Sequence, residues 1–112
     1  MTTILHVPAD GPPIHTAQDA VDLVAAAAGA GADLVAVPVA RLDERFFTLS
    51  TGVAGDILQK LVQYRVRLAV VGDIAAHLER SEALRGLVRE SDRGRDAWFV
   101  ADRAELDRRL AG

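Results

Sequence analysis

Ser50 and Thr51 have the clearest chemical opportunity in this chain. They stand directly before an apolar periodic segment, where a hydroxyl oxygen can accept from the unpaired backbone N–H groups of a helix start. The same place attracts negative charge, because those donors and the positive end of the helix dipole coincide there. No acidic side chain occurs over residues 49–55, and Asp56 is the first acid beyond them. Gly52 and Gly55 keep the first turn bare. A glycine in a helix costs about 0.5–1 kcal/mol relative to alanine, so their presence fits either close packing on a sheet or the approach of a ligand. Arg41 and Arg45 lie in the loop just before. Two readings stand side by side. One is a helix cap. The other is a phosphosite or anion cradle built from Ser50, Thr51, Gly52, Gly55 and Arg41.

Asp73 and His77 form a second candidate, the rim of a pocket. With Ser50 they contain the residue types of a hydrolytic triad, but no G-x-S-x-G elbow accompanies them. His6 and His15 could join His77 near one sheet edge, yet neither H-x-H nor H-E-x-x-H spacing occurs, so no metal is expected. The stretch GVAG lacks the Lys-Ser/Thr that completes a P-loop, and G-x-G-x-x-G is absent, so no nucleotide cofactor is expected. Arg85, Arg89, Arg93 and Arg95 alternate with Glu82 and Glu90, as on a solvated mixed-charge face.

The elements that must position these residues fit one domain. The chain has 112 residues, half of them hydrophobic, enough for one core and too few for two. A net charge of −3 argues against nucleic acid and anionic membrane as partners. With no cysteine, disulfides, zinc thiolates and cysteine nucleophiles are excluded. No run of about 18 apolar residues exists to span a membrane. The opening MTTILHVPADG has neither a basic n-region nor a long apolar h-region, so a cytoplasmic setting is expected.

A short apolar run over 3–7 reads as the first strand, ended by Gly11, Pro12 and Pro13. Thr16 and Asp19 resemble a capping box for a helix with a face of Ala17, Ala20, Val21, Val24, Ala27 and Ala28, stopped by Gly29 and Gly31. The second strand covers 34–39. Phe46 and Phe47 follow a charged connection, and at least one should fold into the core. The central helix is expected from Ser50 or Thr51 to about Tyr64, with Val53, Ile57, Leu61, Ala54, Leu58 and Val62 on its apolar face. Residues 67–72, RLAVVG, read as a strand covered on both sides. Residues 74–80 fit a turn of helix or a loop. Ser81 caps a helix to Arg93 with Leu84, Leu87 and Val88 inward; a strand follows over 96–100; Asp102 and Glu105 cap a last helix over 103–110, with Leu106 and Leu110 inward.

The order β-α-β-α-β-α-β-α implies an α/β domain over residues 1–112 with a mainly parallel four-stranded sheet. Ligands of such sheets bind beyond the strands' carboxyl ends. The pieces FF-x-L-x-TG-x-AG-x-ILQK, YR-x-RLA-x-VGD and RES-x-RG, within residues 15–110, resemble a bacterial family of uncharacterised proteins, the domain of unknown function 4180 family, a name that implies no activity. A looser, architectural resemblance is to STAS domains, the fold of anti-sigma-factor antagonists, in which a hydroxyl at a helix start is phosphorylated by a partner kinase. Ser50 or Thr51 holds the matching position, but Leu49 stands where that family has an acidic residue. The resemblance implies a STAS-like regulatory, protein-binding module with an unidentified protein partner. No matched acid, base and nucleophile is visible, which favours a non-enzymatic role. The alternative is a small-molecule or anion-binding domain, conceivably an enzyme, using the carboxyl-edge loops. Unprotected first and last strands lead to the expectation of a weak homodimer.

Overall fold

The computed structural model describes residues 2–112. Strands β1 (Ile4–His6), β2 (Leu34–Pro38), β3 (Arg67–Val71) and β4 (Ala97–Val100) form one sheet in the order β1-β2-β3-β4, and every pair is parallel. The chain is thus the α/β domain its alternation predicts. Each crossover steps in the same direction, and right-handed crossovers that never reverse put their helices on one side of the sheet. The strand residues divide accordingly. Val35, Val37, Leu68, Val70 and Ala97 pack with α1 (Ala17–Ala30), the third helix α3 (Val53–Gln63) and the fifth, α5 (Glu82–Arg93), through Ala20, Leu23, Ala27, Ala54, Ile57, Leu61 and Leu84. Their neighbours Leu34, Ala36, Ala69, Trp98 and Val100 point the other way and meet the last helix, α6 (Arg103–Ala111), through Leu106. That helix lies over β3 and β4; at the far end of this second face β1 has less cover, with Ile4 half-buried and His6 exposed.

Local signals place most helix ends. Thr16 and Asp19 make a complete capping box, with the Asp19 N–H donating to the Thr16 hydroxyl at 3.0 Å and the Thr16 N–H donating to the Asp19 carboxylate at 3.0 Å. Ser81 accepts from the Leu84 N–H, and Asp102 accepts from the Glu105 N–H. Residues 74–80, ambiguous in sequence, contain the helix α4 (Ala75–Arg80). The charged connection holds another short helix, α2 (Glu44–Phe47), capped by Asp43, and both phenylalanines are buried in edge-to-face contact.

Several expectations need correction. The central helix does not start at Ser50 or Thr51. Those residues belong to a separate 3₁₀ turn (Leu49–Thr51), and α3 begins at Val53. The break comes from Gly52, whose φ of 78° lies in the left-handed region that favours glycine. Gly55 is exposed, and a Cβ there would meet nothing within 4 Å, so close packing on the sheet does not explain it. On α1 the buried residues are Ala20, Leu23 and Ala27, while Ala17, Val21 and Ala28 are exposed. Leu23 lies between the alanine positions on the same face, and a pattern of small residues hides it. Val62 is likewise 45% exposed, at the outer margin of the α3 stripe.

Candidate functional site

The seven residues singled out in the sequence do not form one site. Ser50 and His77 come together. They line an open cleft of about 520 Å³ with Glu44, Phe47, Thr48, Arg80 and Ser81. The 3₁₀ turn and the end of α2 make one wall, and α4 with the start of α5 makes the other. His77 is held in place by Phe47, whose ring stacks on the imidazole at 4.1 Å with 12° between planes. Its Nδ1 faces Arg80 Nη2 at 3.2 Å. A guanidinium only donates, so Nδ1 must accept, and the His77 proton sits on Nε2. The cleft therefore combines two donors from α4, a free serine hydroxyl and the Glu44 carboxylate.

Ser50 is exposed and makes no side-chain hydrogen bond among the described residues. Thr51 is different. Its hydroxyl lies 2.6 Å from the Arg45 carbonyl and 2.8 Å from the Thr48 carbonyl, to which it donates, and it accepts from the Val53 N–H at 3.3 Å. It stitches the turn to α2 and is occupied in doing so. Gly52 supplies the bend after it, and Gly55 faces solvent on α3; neither lines the cleft.

Arg41 is not available to the Ser50 cleft. Its Nε donates to the Pro12 carbonyl at 3.0 Å, and its Nη1 to the carbonyls of Pro8 at 3.0 Å and Asp10 at 3.2 Å. It pins the loop that follows β1. Gly11 permits this approach, since a Cβ there would lie 2.8 Å from the guanidinium carbon. Arg45 is paired with Asp43 at 2.8 Å, and this contact holds the Asp43 carboxyl well below its usual range. The anion cradle expected from Ser50, Thr51, Gly52, Gly55 and Arg41 is thus dispersed.

Asp73 also lies elsewhere. Its carboxylate accepts from the Ala75 N–H at 2.9 Å at the entry to α4, and it lines a different hollow, with Ile74 and Phe99. His77 thus meets a cation at Nδ1, where a hydrolytic triad needs a carboxylate to orient the base. The other histidines are equally separate. His15 Nδ1 is 3.8 Å from Asp19, and His6 accepts from Arg103. Among the described residues no group of three or more His, Asp or Glu side chains could hold a metal ion.

Arg80 and Glu44 line the cleft, although nothing in the sequence analysis singles them out. For Arg80 the signal was present: it stands three residues after His77, on the same helical face. For Glu44 there was none, because its placement depends on how α2 folds back.

Fold and site together define a small α/β domain with an all-parallel sheet and an open polar cleft beside its helical layer. The chain belongs to the family described as Domain of unknown function (DUF4180), whose model matches residues 1–110. No curated protein and no solved structure matches it. No helix among the described residues is long and apolar enough to cross a membrane.

Proposed function

We propose that the protein is a non-catalytic regulatory domain, working in the cytoplasm, that docks a partner protein at the Ser50 cleft. The observation that carries this reading is the Ser50 hydroxyl, exposed and unpartnered on the wall of a cleft that also holds His77 and Arg80. A phosphoryl group on Ser50, or an acidic side chain of a partner, would meet donors that are already oriented. Thr51 is engaged in its own turn, so Ser50 is the hydroxyl open to modification. The STAS resemblance supports the same reading by position alone. A cation at His77 Nδ1 speaks against acyl-transfer chemistry there.

A second reading has support from the shape of the site. About 520 Å³ is within the range of small-molecule sites, and a small anion would suit Arg80 and the Nε2–H of His77.

The test begins with protein purified from its native host and examined by mass spectrometry for phosphate on Ser50. Wild type, Ser50→Asp and Arg80→Ala are then used as bait. The docking reading expects one partner that binds purified wild type directly and responds to both substitutions. If both variants retain every partner and Ser50 carries no phosphate, the reading fails. The small-molecule reading expects an anion that stabilises wild type against heat and does not stabilise Arg80→Ala.

A further inference from the structure

A second cavity, of about 380 Å³, opens at the carboxyl edge of the sheet on the side that α6 covers only in part. Val7, Ala36, Pro38 and Val71 give it apolar walls, and its polar side chains are His6 and Arg103. It shares no lining residue with the Ser50 cleft. Strand register builds it. His6 is opposite Ala36, and Pro38 is opposite Val71, so these side chains emerge on one face. Arg103, the first residue of α6, donates from Nε to His6 Nδ1 at 3.2 Å. His6 must then carry its proton on Nε2. Both polar groups of the cavity are therefore N–H donors, and neither offers a free acceptor.

Among the described residues Arg103 has no carboxylate within ion-pair distance. Asp102 directs a carboxylate oxygen to the Glu105 N–H. Asp107 is near enough to oppose the lowering of the His6 pKa without reversing it. A cation at the first position of a helix also faces the positive end of the dipole, an unfavourable placement that a bound anion would relieve. The apolar walls and the single guanidinium select the kind of anion. A fork of parallel N–H groups matches the two oxygens of a carboxylate, whereas a phosphate brings more charge and more oxygens than one arginine can satisfy.

From this arrangement we infer that the cavity binds a small organic carboxylate. The carboxylate lies on the Arg103 guanidinium beside His6, and its apolar body rests on Ala36, Pro38 and Val71. Titration of the ¹⁵N-labelled full chain with sodium hexanoate, hexan-1-ol and inorganic phosphate tests it by NMR. Hexanoate is expected to shift the amides of Val7, Ala36, Val71 and Arg103 saturably, with hexan-1-ol and phosphate each weaker by roughly tenfold or more. Arg103→Gln should weaken hexanoate by roughly tenfold and leave hexan-1-ol unchanged. Arg103→Lys, which keeps the charge but loses the fork, should also bind more weakly, and serves if the glutamine variant does not fold. Ser50→Asp should bind hexanoate as wild type does, which separates this site from the cleft. Absence of saturable shifts, equal shifts by the alcohol or by phosphate, or undiminished binding by a folded Arg103 variant would each overturn the inference.

Discussion

At the scale of single residues, the two adjacent hydroxyls have opposite duties. Thr51 ties two short elements together, while the exposed Ser50 side chain makes no hydrogen bond among the described residues. Thr51→Ala should therefore cost about 1 kcal/mol, the usual net worth of an intramolecular hydrogen bond. Ser50→Ala should stay within about 0.5 kcal/mol of wild type, as surface changes away from such features do. Urea midpoints of the two variants check this, and a Ser50→Ala loss as large as that of Thr51→Ala would make Ser50 a structural residue after all. His6 offers a second residue-scale measurement. Partial burial and then the Arg103 charge lower its pKa, with Asp107 pulling weakly upward. Its imidazole should titrate below the usual value near 6.5, and Arg103→Gln should bring it part of the way back, because burial remains. Between the folded and unfolded pKa values the unfolded chain binds more protons, so His6 should withdraw stability as pH falls below about 6.5. An NMR titration in which His6 shows its ordinary pKa, or ignores the Arg103 substitution, would contradict this.

At the scale of elements, what the sequence makes visible depends on how far apart the partners lie. The caps at Thr16, Ser81 and Asp102 are legible because each side chain bonds a backbone N–H three residues on. The alternation of strands and helices is legible for the same local reason, and it dictates a parallel sheet. α3 starts later than expected because a left-handed Gly52 separates it from a 3₁₀ turn, where hydroxyls and apolar spacing alone suggest a continuous helix. Only half of the candidate site was legible. Ser50 and His77 could be named, but their meeting depends on α2 and α4 folding together; Asp73 is consumed by a local hydrogen bond, and Arg41 by carbonyls of the distant loop after β1, neither of which composition reveals. Helix α3 itself is central as its apolar stripe predicts, with Ile57 and Leu61 each only 1% exposed in the core with Val35 and Leu68. Ile57→Ala or Leu61→Ala should each cost ~2–5 kcal/mol through lost burial and the cavity left behind. Denaturant midpoints that barely move would show α3 to be peripheral.

At the scale of the whole molecule, the strand order leaves β1 and β4 as the two edges, the pair that the sequence singles out. They are not equivalent. β1 has three residues, and Pro8 soon follows, so it offers little to another chain. Short edges and prolines are how sheets avoid pairing. β4, with four residues, is only one longer, but no proline stands beside it. Asp96 and Val100 turn their carbonyls inward, accepting from the Leu68 and Gly72 N–H groups. By alternation, the backbone groups of Ala97 and Phe99 point away from the sheet. If the chain forms a homodimer by strand addition, β4 is therefore the strand that pairs, because it alone presents an outward row of donors and acceptors without a proline beside it. Light scattering at micromolar concentration decides the first half: a monomer mass removes the dimer. Hydrogen exchange decides the second. In a dimer built on β4, the outward amides of Ala97 and Phe99 should gain protection as protein concentration rises, while the β1 amides do not. Protection that rises at β1 instead would assign the interface to the other edge, and would mean that three residues and a nearby proline do not blunt a strand in this fold.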